Sequence, residues 1–145
     1  MKTIIQLTNE EKEALDMLTF SETAEKFNYE EQKVITSWVM NNLLNLYYEV
    51  LSVLKEKCQE FKINSGYRCR RTNFAVKGTR HSQHMEGSAA DITCENLDEM
   101  WDILQHMEVD QCIRYDTFIH VSHVTYRKNR NQYINYTTKE LEGAS

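Results

Sequence analysis

The sequence lacks several features that would place it in a special class. It has no proline, only four glycines and no CxxC pair among its four cysteines. This composition excludes collagen-like and low-complexity chains, and separated thiols support neither a zinc ribbon nor a thioredoxin-like redox site. Isolated thiols in cytosolic proteins are usually buried small hydrophobic residues, although one disulfide stays open. The cysteines are Cys58, Cys69, Cys94 and Cys112.

Two further absences concern partners and location. No apolar run approaches the roughly 18 residues of a membrane span, and the apolar stretch within residues 1–7 is too short for a signal peptide. The formal net charge is -5 and the basic residues form no long run, which argues against binding to nucleic-acid phosphates. We expect a monomer that is made in the cytosol, does not insert into membranes and does not bind nucleic acid.

The composition that is present fits an ordinary folded protein. Hydrophobic residues make up 41% and charged residues 27% of the 145 positions. A chain of this length can bury about two thirds of its unfolded surface in one core. We therefore expect a single domain over residues 1–145, with an N-terminal extension at 1–18 and a flexible tail at 138–145.

The first half of the chain has a helical pattern. Apolar residues recur at three- and four-residue steps along one stripe, which predicts a long amphipathic helix. The stripe consists of Ile35, Val39, Leu43, Leu46, Val50 and Leu54. Polar residues followed by glutamate indicate helix starts. They are Thr8 with Glu11, Ser21 before Glu22, and Asn28 with Glu31, the last of which we interpret as the start of the long helix.

From Phe61 onward the pattern changes to short segments separated by turn residues. Asn96 with Glu99 indicates one more helix. The runs Thr117 to Val124 and Gln132 to Thr137 are rich in β-forming residues and predict strands. Helices that come first and strands that come later predict an α+β fold, with N-terminal helices packed on a small, mainly antiparallel sheet.

One segment, SQHMEGSAADI, suggests a metal site. His84 and Asp91 are seven positions apart, and Gly87 between them lets the chain turn back so that both side chains reach one ion. The run FIHVSH offers His120 and His123 as a third ligand. Because side chains alternate across a strand, these two histidines cannot both face one site. Strand parity alone does not choose between them.

Four sequence blocks together resemble the zinc D-Ala-D-Ala carboxypeptidase superfamily, and most closely its short bacterial and phage members, which share the Hedgehog-type peptidase fold. The blocks are SGYRCRRTN at Ser65 to Asn73, SQHMEGSAADI at Ser82 to Ile92, DQCIRYDTFIHVS at Asp110 to Ser122, and NRNQ at Asn129 to Gln132. The resemblance runs from about Phe20 to Tyr136 and covers most of the chain.

The resemblance implies roles for particular residues. His84, Asp91 and His120 would bind one zinc ion, and three protein ligands with one open position are what a catalytic zinc requires. Arg68 would approach the substrate carbonyl or carboxylate, which suits a planar guanidinium. The remaining matched residues would contact substrate or brace the loops around the metal. They are Asn73, Ser82 and Gln83.

The general base does not follow the family pattern. Well-known relatives carry a glutamate three residues before the last metal histidine, where this chain has Thr117. Shorter members often carry a glutamate after the DQxI block, where this chain has Tyr115. Asp116 is our candidate for the base, because a carboxylate near the metal could accept and return a proton. Glu86 and His123 are weaker alternatives.

The resemblance implies a zinc peptidase that cuts peptidoglycan stem or cross-link peptides, as a D-Ala-D-Ala carboxypeptidase or an endopeptidase. Such a protein could be a phage or prophage endolysin that acts on the cell wall after its release. The alternative is a non-catalytic module of the same fold that keeps zinc and binds wall peptides or builds a larger particle. The departure at the glutamate position keeps this alternative open.

Overall fold

The computed structural model describes residues 6–58 and 60–143. Its helices are α1 (Asn9–Thr19), α2 (Glu22–Phe27), α3 (Ser37–Leu46), α4 (Ser52–Lys57), α5 (Arg70–Ala75), α6 (Leu97–Leu104) and α7 (Thr138–Gly143). Its strands are β1 (Lys62–Ser65), β2 (Ala89–Thr93), β3 (Gln111–Arg114), β4 (Ile119–Ser122) and β5 (Gln132–Asn135). A π-helical turn, Tyr47–Leu51, joins α3 to α4, so the long helix is continuous.

The five strands form one sheet in the order β1-β2-β4-β3-β5. The pairs β1–β2, β2–β4 and β3–β4 are antiparallel, and β3–β5 is parallel. The prediction of an α+β fold with a mainly antiparallel sheet is confirmed. Within residues 6–58 and 60–143, no helix has the length and apolar character needed to cross a membrane.

Three of the helix starts agree with the sequence pattern. Thr8 and Glu11 form a capping box at α1. Ser21 caps α2 by accepting a hydrogen bond from the Ala24 N–H. Asn96 caps α6 in the same way, through the N–H of its third following residue, Glu99. In each case a short polar side chain satisfies a backbone donor that the first turn leaves without a partner.

The start expected at Asn28 and Glu31 is wrong. Asn28 instead ends α2 in the left-handed conformation, at φ 55°. The long helix begins at Ser37, and the hydroxyl of Thr36, eight residues after Asn28, caps it. The reason lies in Gln32, which is buried and donates to the carbonyls of Thr19 and Tyr67. Those tertiary hydrogen bonds hold the intervening segment in a single 3-10 turn.

The hydrophobic core lies between the helices and the sheet. Five of the six stripe residues are buried, and Ile35 packs against them. Helix α1 adds Ala14, Leu15 and Leu18, so the segment 1–18 contributes directly to this core. The segment 138–145 includes α7, which has no buried residue. Residues 1–5 and 144–145 of these two segments lie outside the described part of the chain.

None of the four cysteines, all of which lie in the described part of the chain, forms a disulfide bond. Cys69 and Cys112 are buried, whereas Cys58 and Cys94 are half-buried. Burial raises the pKa of Cys112 to about 12, so this thiol behaves as a small hydrophobic core residue.

Candidate metal centre

His84, Asp91 and His120 converge on one point. Asp91 lies on β2 directly opposite His120 on β4, because these strands pair in antiparallel register. His84 comes from the loop before β2, and one ligand atom from each residue lies within 4.8 Å of the others. His123, which strand parity had left open, follows the end of β4 and is buried beside Asn45 instead.

The loop between His84 and Asp91 depends on a glycine. Gly87 has φ +81°, a conformation that side chains other than glycine rarely adopt. A Cβ atom at this position would lie 2.9 Å from the carbonyl oxygen of Val39 on α3. The loop therefore packs against the long helix as it turns back into β2, which brings His84 over Asp91.

A hydrogen bond fixes the tautomer of His84. Its Nδ1 lies 2.7 Å from the carbonyl oxygen of Gly66, which can only accept, so Nδ1 carries the proton. The unprotonated Nε2 then faces Asp91, at 3.2 Å from Oδ1. Burial also lowers the pKa of His84, which favours the neutral ring that metals bind. A backbone carbonyl that orients the other ring nitrogen is a typical outer partner of a metal-ligating histidine.

Asp91 is the centre of the cluster. Its Oδ1 also lies 3.0 Å from Nδ1 of His120, and its Oδ2 lies 3.6 Å from a guanidinium nitrogen of Arg68. Burial by itself would raise the pKa of Asp91, but the His120 and His84 side chains beside its Oδ1 outweigh burial and hold the pKa well below the usual range. Asp91 is therefore a carboxylate at neutral pH. Two imidazoles and one carboxylate are a donor set that fits zinc with one position left for water or substrate.

Arg68 lies beside this cluster in a cleft of about 670 Å³ that His84, Asp91 and His120 also line. Its Nη1 donates to Oδ1 of Asn73, and its Nε donates to the hydroxyl of Ser65. The Asn73 amide in turn donates to the carbonyl of Thr79. Asn73 is buried, so its contact is with Arg68 and the following loop.

Ser82 and Gln83 also line the cleft. The Ser82 hydroxyl accepts a hydrogen bond from the N–H of His84, within the metal loop. The Gln83 amide donates to Oδ2 of Asp110 at 2.8 Å. Both side chains thus make contacts that stabilise the loop carrying His84.

The structure does not bring Asp116 to this cleft. Asp116 is exposed in the turn between β3 and β4, and its carboxylate accepts hydrogen bonds from the N–H and hydroxyl of Thr138. Among the described residues, the carboxylates that line the cleft are Asp91 and Glu86. Glu86 accepts hydrogen bonds from the hydroxyls of Ser88 and Tyr126.

Tyr115 occupies the position where shorter relatives often carry a glutamate, and it lines the cleft. Its ring stacks on Phe118, with centroids 4.7 Å apart. Burial and the negative charge of Asp91 raise its pKa. Its hydroxyl therefore stays protonated at neutral pH, where it can donate a hydrogen bond but cannot act as a base.

Sequence reasoning missed the role of a buried carboxylate behind the cleft wall. Asp110 is fully buried, and its oxygens accept hydrogen bonds from the guanidinium groups of Arg127 and Arg130 at 2.5 to 3.1 Å. Burial by itself would raise the pKa of Asp110, but the bonds from Arg127, Arg130 and Gln83 hold it well below the usual range. The available signal was an aspartate in one family-like block and basic residues in the next.

Comparison with known proteins agrees with this geometry. The family model described as Peptidase M15 matches residues 12–125, which is well over half of the chain. No curated protein matches the chain. The matched region contains the three converging side chains and Arg68, and M15 peptidases are zinc enzymes that act on peptides. The chain therefore belongs to the M15 peptidase family, a family of metallopeptidases in the zinc D-Ala-D-Ala carboxypeptidase superfamily.

Proposed function

We propose that this protein, acting as a single domain, hydrolyses a peptide bond in peptidoglycan stem or cross-link peptides with one zinc ion. The observation that carries the proposal is the convergence of His84, Asp91 and His120 in the cleft that also contains Arg68. The activity would be that of a D-Ala-D-Ala carboxypeptidase or an endopeptidase. The proposal includes a role as a phage or prophage endolysin that meets the cell wall after release.

Different residues of the chain would have different roles in this hydrolysis. His84, Asp91 and His120 would hold the zinc, which supplies Lewis acidity and lowers the pKa of water to about 7. Arg68 would bind the substrate carboxylate, or the carbonyl oxygen as negative charge develops on it. Ser65 and Asn73 hold this guanidinium in place through Nε and Nη1. A donor fixed in advance stabilises developing charge without reorganisation. Asn73, Ser82 and Gln83 would support this arrangement, and Ser82 and Gln83, which line the cleft, would border the substrate.

The proposed hydrolysis also requires a proton acceptor. Asp116 was the first candidate, but its carboxylate is engaged by Thr138 outside the cleft. Glu86 lines the cleft, and its carboxylate is oriented by Ser88 and Tyr126. A base must come within hydrogen-bond reach of the proton that it removes. We therefore place Glu86 ahead of Asp116 as the proposed acceptor.

A second candidate function is a non-catalytic module that keeps zinc and binds wall peptides. The observation that favours it is Tyr115, a side chain that cannot accept a proton at neutral pH in a position where shorter relatives often carry a glutamate. In this function the cleft and the metal ligands would serve recognition alone.

The decisive experiment is digestion of purified peptidoglycan by the zinc-loaded protein, followed by mass analysis of the released fragments. Hydrolysis would identify the bond that is cut, and loss of hydrolysis on chelation with recovery on added zinc would tie the activity to the metal. Intact peptidoglycan after prolonged digestion, together with measurable binding of wall peptides, would favour the non-catalytic module.

Matched variants then separate the two candidate acceptors. Glu86→Gln and Asp116→Asn each remove one charge with almost no change in volume. If Glu86 accepts the proton, Glu86→Gln lowers kcat by about 10²- to 10⁴-fold, while Asp116→Asn stays near wild type. The opposite ranking would restore Asp116 as the base.

A further inference from the structure

The cleft has a charge opposite to that of the whole chain. The protein carries a formal net charge of -5. The described residues that line the cleft nevertheless include four cations but only two carboxylates, Asp91 and Glu86. The cations are Arg68, Lys77, Arg127 and Arg130. Adding the buried charge of Asp110 still leaves the cleft positive, and a divalent metal at the centre would increase the excess. A cleft of this kind attracts anionic ligands.

Two of these cations are held rigidly. The buried carboxylate of Asp110 contacts both guanidinium groups, and the backbone N–H of Arg130 donates to the same carboxylate. The Gln83 amide adds a further donor. Such a network fixes the Arg127 and Arg130 heads before any ligand arrives, so less side-chain entropy is lost on binding.

The pair also retains binding capacity. The Arg127 side chain is 37% exposed and the Arg130 side chain is 49% exposed. Neither Nε of Arg127 nor Nη1 of Arg130 donates to a residue in the described part of the chain. Asp110 neutralises one of the two positive charges, so one remains unbalanced at the cleft wall. Guanidinium N–H groups suit the planar geometry of a carboxylate.

We infer that Arg127 and Arg130 form a second carboxylate subsite, so that the preferred substrate is a peptide with an acidic residue in addition to the carboxylate or carbonyl bound by Arg68. This inference rests on the proposed peptidase function and narrows its substrate class. In a carboxypeptidase substrate, whose terminal carboxylate Arg68 would bind, the acidic residue would lie upstream of the scissile bond and contact the wall of the cleft that Asp110 supports.

Peptide pairs that differ only by carboxylate or carboxamide on one side chain test the inference. The acidic residue is placed one, two or three positions before the scissile bond, and kcat/KM is measured for each pair with the zinc-loaded protein. A charge-assisted hydrogen bond contributes about 1.5 to 3 kcal/mol, so at one position the acid should be preferred by about 10- to 100-fold. In Arg127→Gln this ratio should fall toward one.

Arg71→Gln is the matched control. Arg71 carries the same charge but pairs with Glu31 and does not line the cleft. The acid-to-amide ratio of this variant should equal that of the wild type. If Arg127→Gln does not fold, as judged by circular dichroism, Arg127→Lys takes its place. Lysine keeps the positive charge but lacks the paired N–H donors of the planar guanidinium, so the acid-to-amide ratio of kcat/KM should again fall.

The outcomes separate the inference from the proposed function. Equal kcat/KM for acid and amide at all three positions would overturn the second subsite and leave the peptidase intact. If no peptide is hydrolysed, the peptidase proposal fails, and calorimetric binding of the same peptides then decides the inference. Tighter binding of the acid, lost in Arg127→Gln but not in Arg71→Gln, would support it. Equal binding would overturn it.

Discussion

Asp91 and Asp110 are two carboxylates with low pKa values, but Asp91 lines the cleft whereas Asp110 is buried behind its wall, and their surroundings differ in kind. Asp91 lies between two imidazoles, with Arg68 at 3.6 Å, and its side chain is 17% exposed. Asp110 is fully buried beneath two guanidinium groups that contact both of its oxygens. A neutral imidazole offers a lone pair, whereas a guanidinium can only donate and stays charged.

Because of this difference, a metal ion can bind at Asp91 and leave again, whereas the guanidinium partners of Asp110 stay in place. The neutral imidazoles beside Asp91 can direct lone pairs toward a metal ion, so the cluster can take up and release a cation. The partners of Asp110 already supply two fixed positive charges, and these charges would repel a further cation. The first carboxylate is therefore suited to metal binding, and the second to holding Arg127 and Arg130 in place.

Replacing Asp91 should have the largest effect on the protein. In Asp91→Asn the site loses the one carboxylate among the three converging ligands of the described residues. We expect zinc affinity to fall by more than about 100-fold, since even outer partners of a metal contribute about 10- to 100-fold. Hydrolysis should fall to background. Zinc content after dialysis and competition with a chromophoric chelator measure the change.

The control for this prediction is Asp110→Asn, the same substitution in the other environment. Its zinc affinity should fall far less than that of Asp91→Asn, because Asp110 reaches the metal loop only through the Gln83 amide and does not contact the three ligands. If Asp91→Asn bound zinc with the affinity of the wild type, this result would contradict the assignment of the metal site.

The same Asp110→Asn variant should have the larger effect on folding. Removing one partner from a buried ion pair typically costs about 3 to 5 kcal/mol. The half-exposed guanidinium groups can regain some hydration, so we expect a loss of about 2 to 3 kcal/mol in the free energy of unfolding. Urea denaturation of the metal-free proteins measures it. An unchanged free energy of unfolding would mean that Asp110 does not stabilise the fold.

The two regions also differ in how far the sequence predicted them. The metal site was predictable from the sequence, because strand alternation and the Gly87 turn follow local rules and the resemblance chose His120 over His123. The Asp110 network was not, because it joins residues 17 and 20 positions apart through a fold that the pattern does not specify. The start of the long helix was missed for a similar reason, since tertiary hydrogen bonds of Gln32 override the local capping pattern.

Gly87 offers a way to disturb the metal site without replacing a ligand. In Gly87→Ala, the residue would keep an unfavourable positive φ, and its Cβ would press on the Val39 carbonyl. We expect a loss of about 1 to 3 kcal/mol in the free energy of unfolding together with weaker zinc binding, because the loop that carries His84 must shift. Gly143→Ala is the control, since no atom of residues 6–58 or 60–143 lies within 4 Å of a Cβ there. Wild-type behaviour of Gly87→Ala in both measurements would contradict this account.

The smallest effect concerns the pH dependence of stability at Asp110. Its pKa in the folded protein lies well below the value near 3.9 expected in the unfolded chain. A group of this kind stabilises the fold fully above the unfolded pKa, and the contribution is lost as pH falls through the folded one. The difference in free energy of unfolding between wild type and Asp110→Asn should therefore be constant from about pH 8 to pH 5 and shrink below about pH 4. Because other carboxylates titrate alike in both proteins, they cancel in this difference.

The control is Asp98→Asn, at an exposed partner of Arg114. Its free energy of unfolding should differ hardly at all from that of the wild type in that pH range. Suppose instead that the difference in free energy of unfolding between wild type and Asp110→Asn stayed constant down to pH 2. The pairing of Arg127 and Arg130 would then not depend on the charge of Asp110, and the contrast with Asp91 would lose its electrostatic basis.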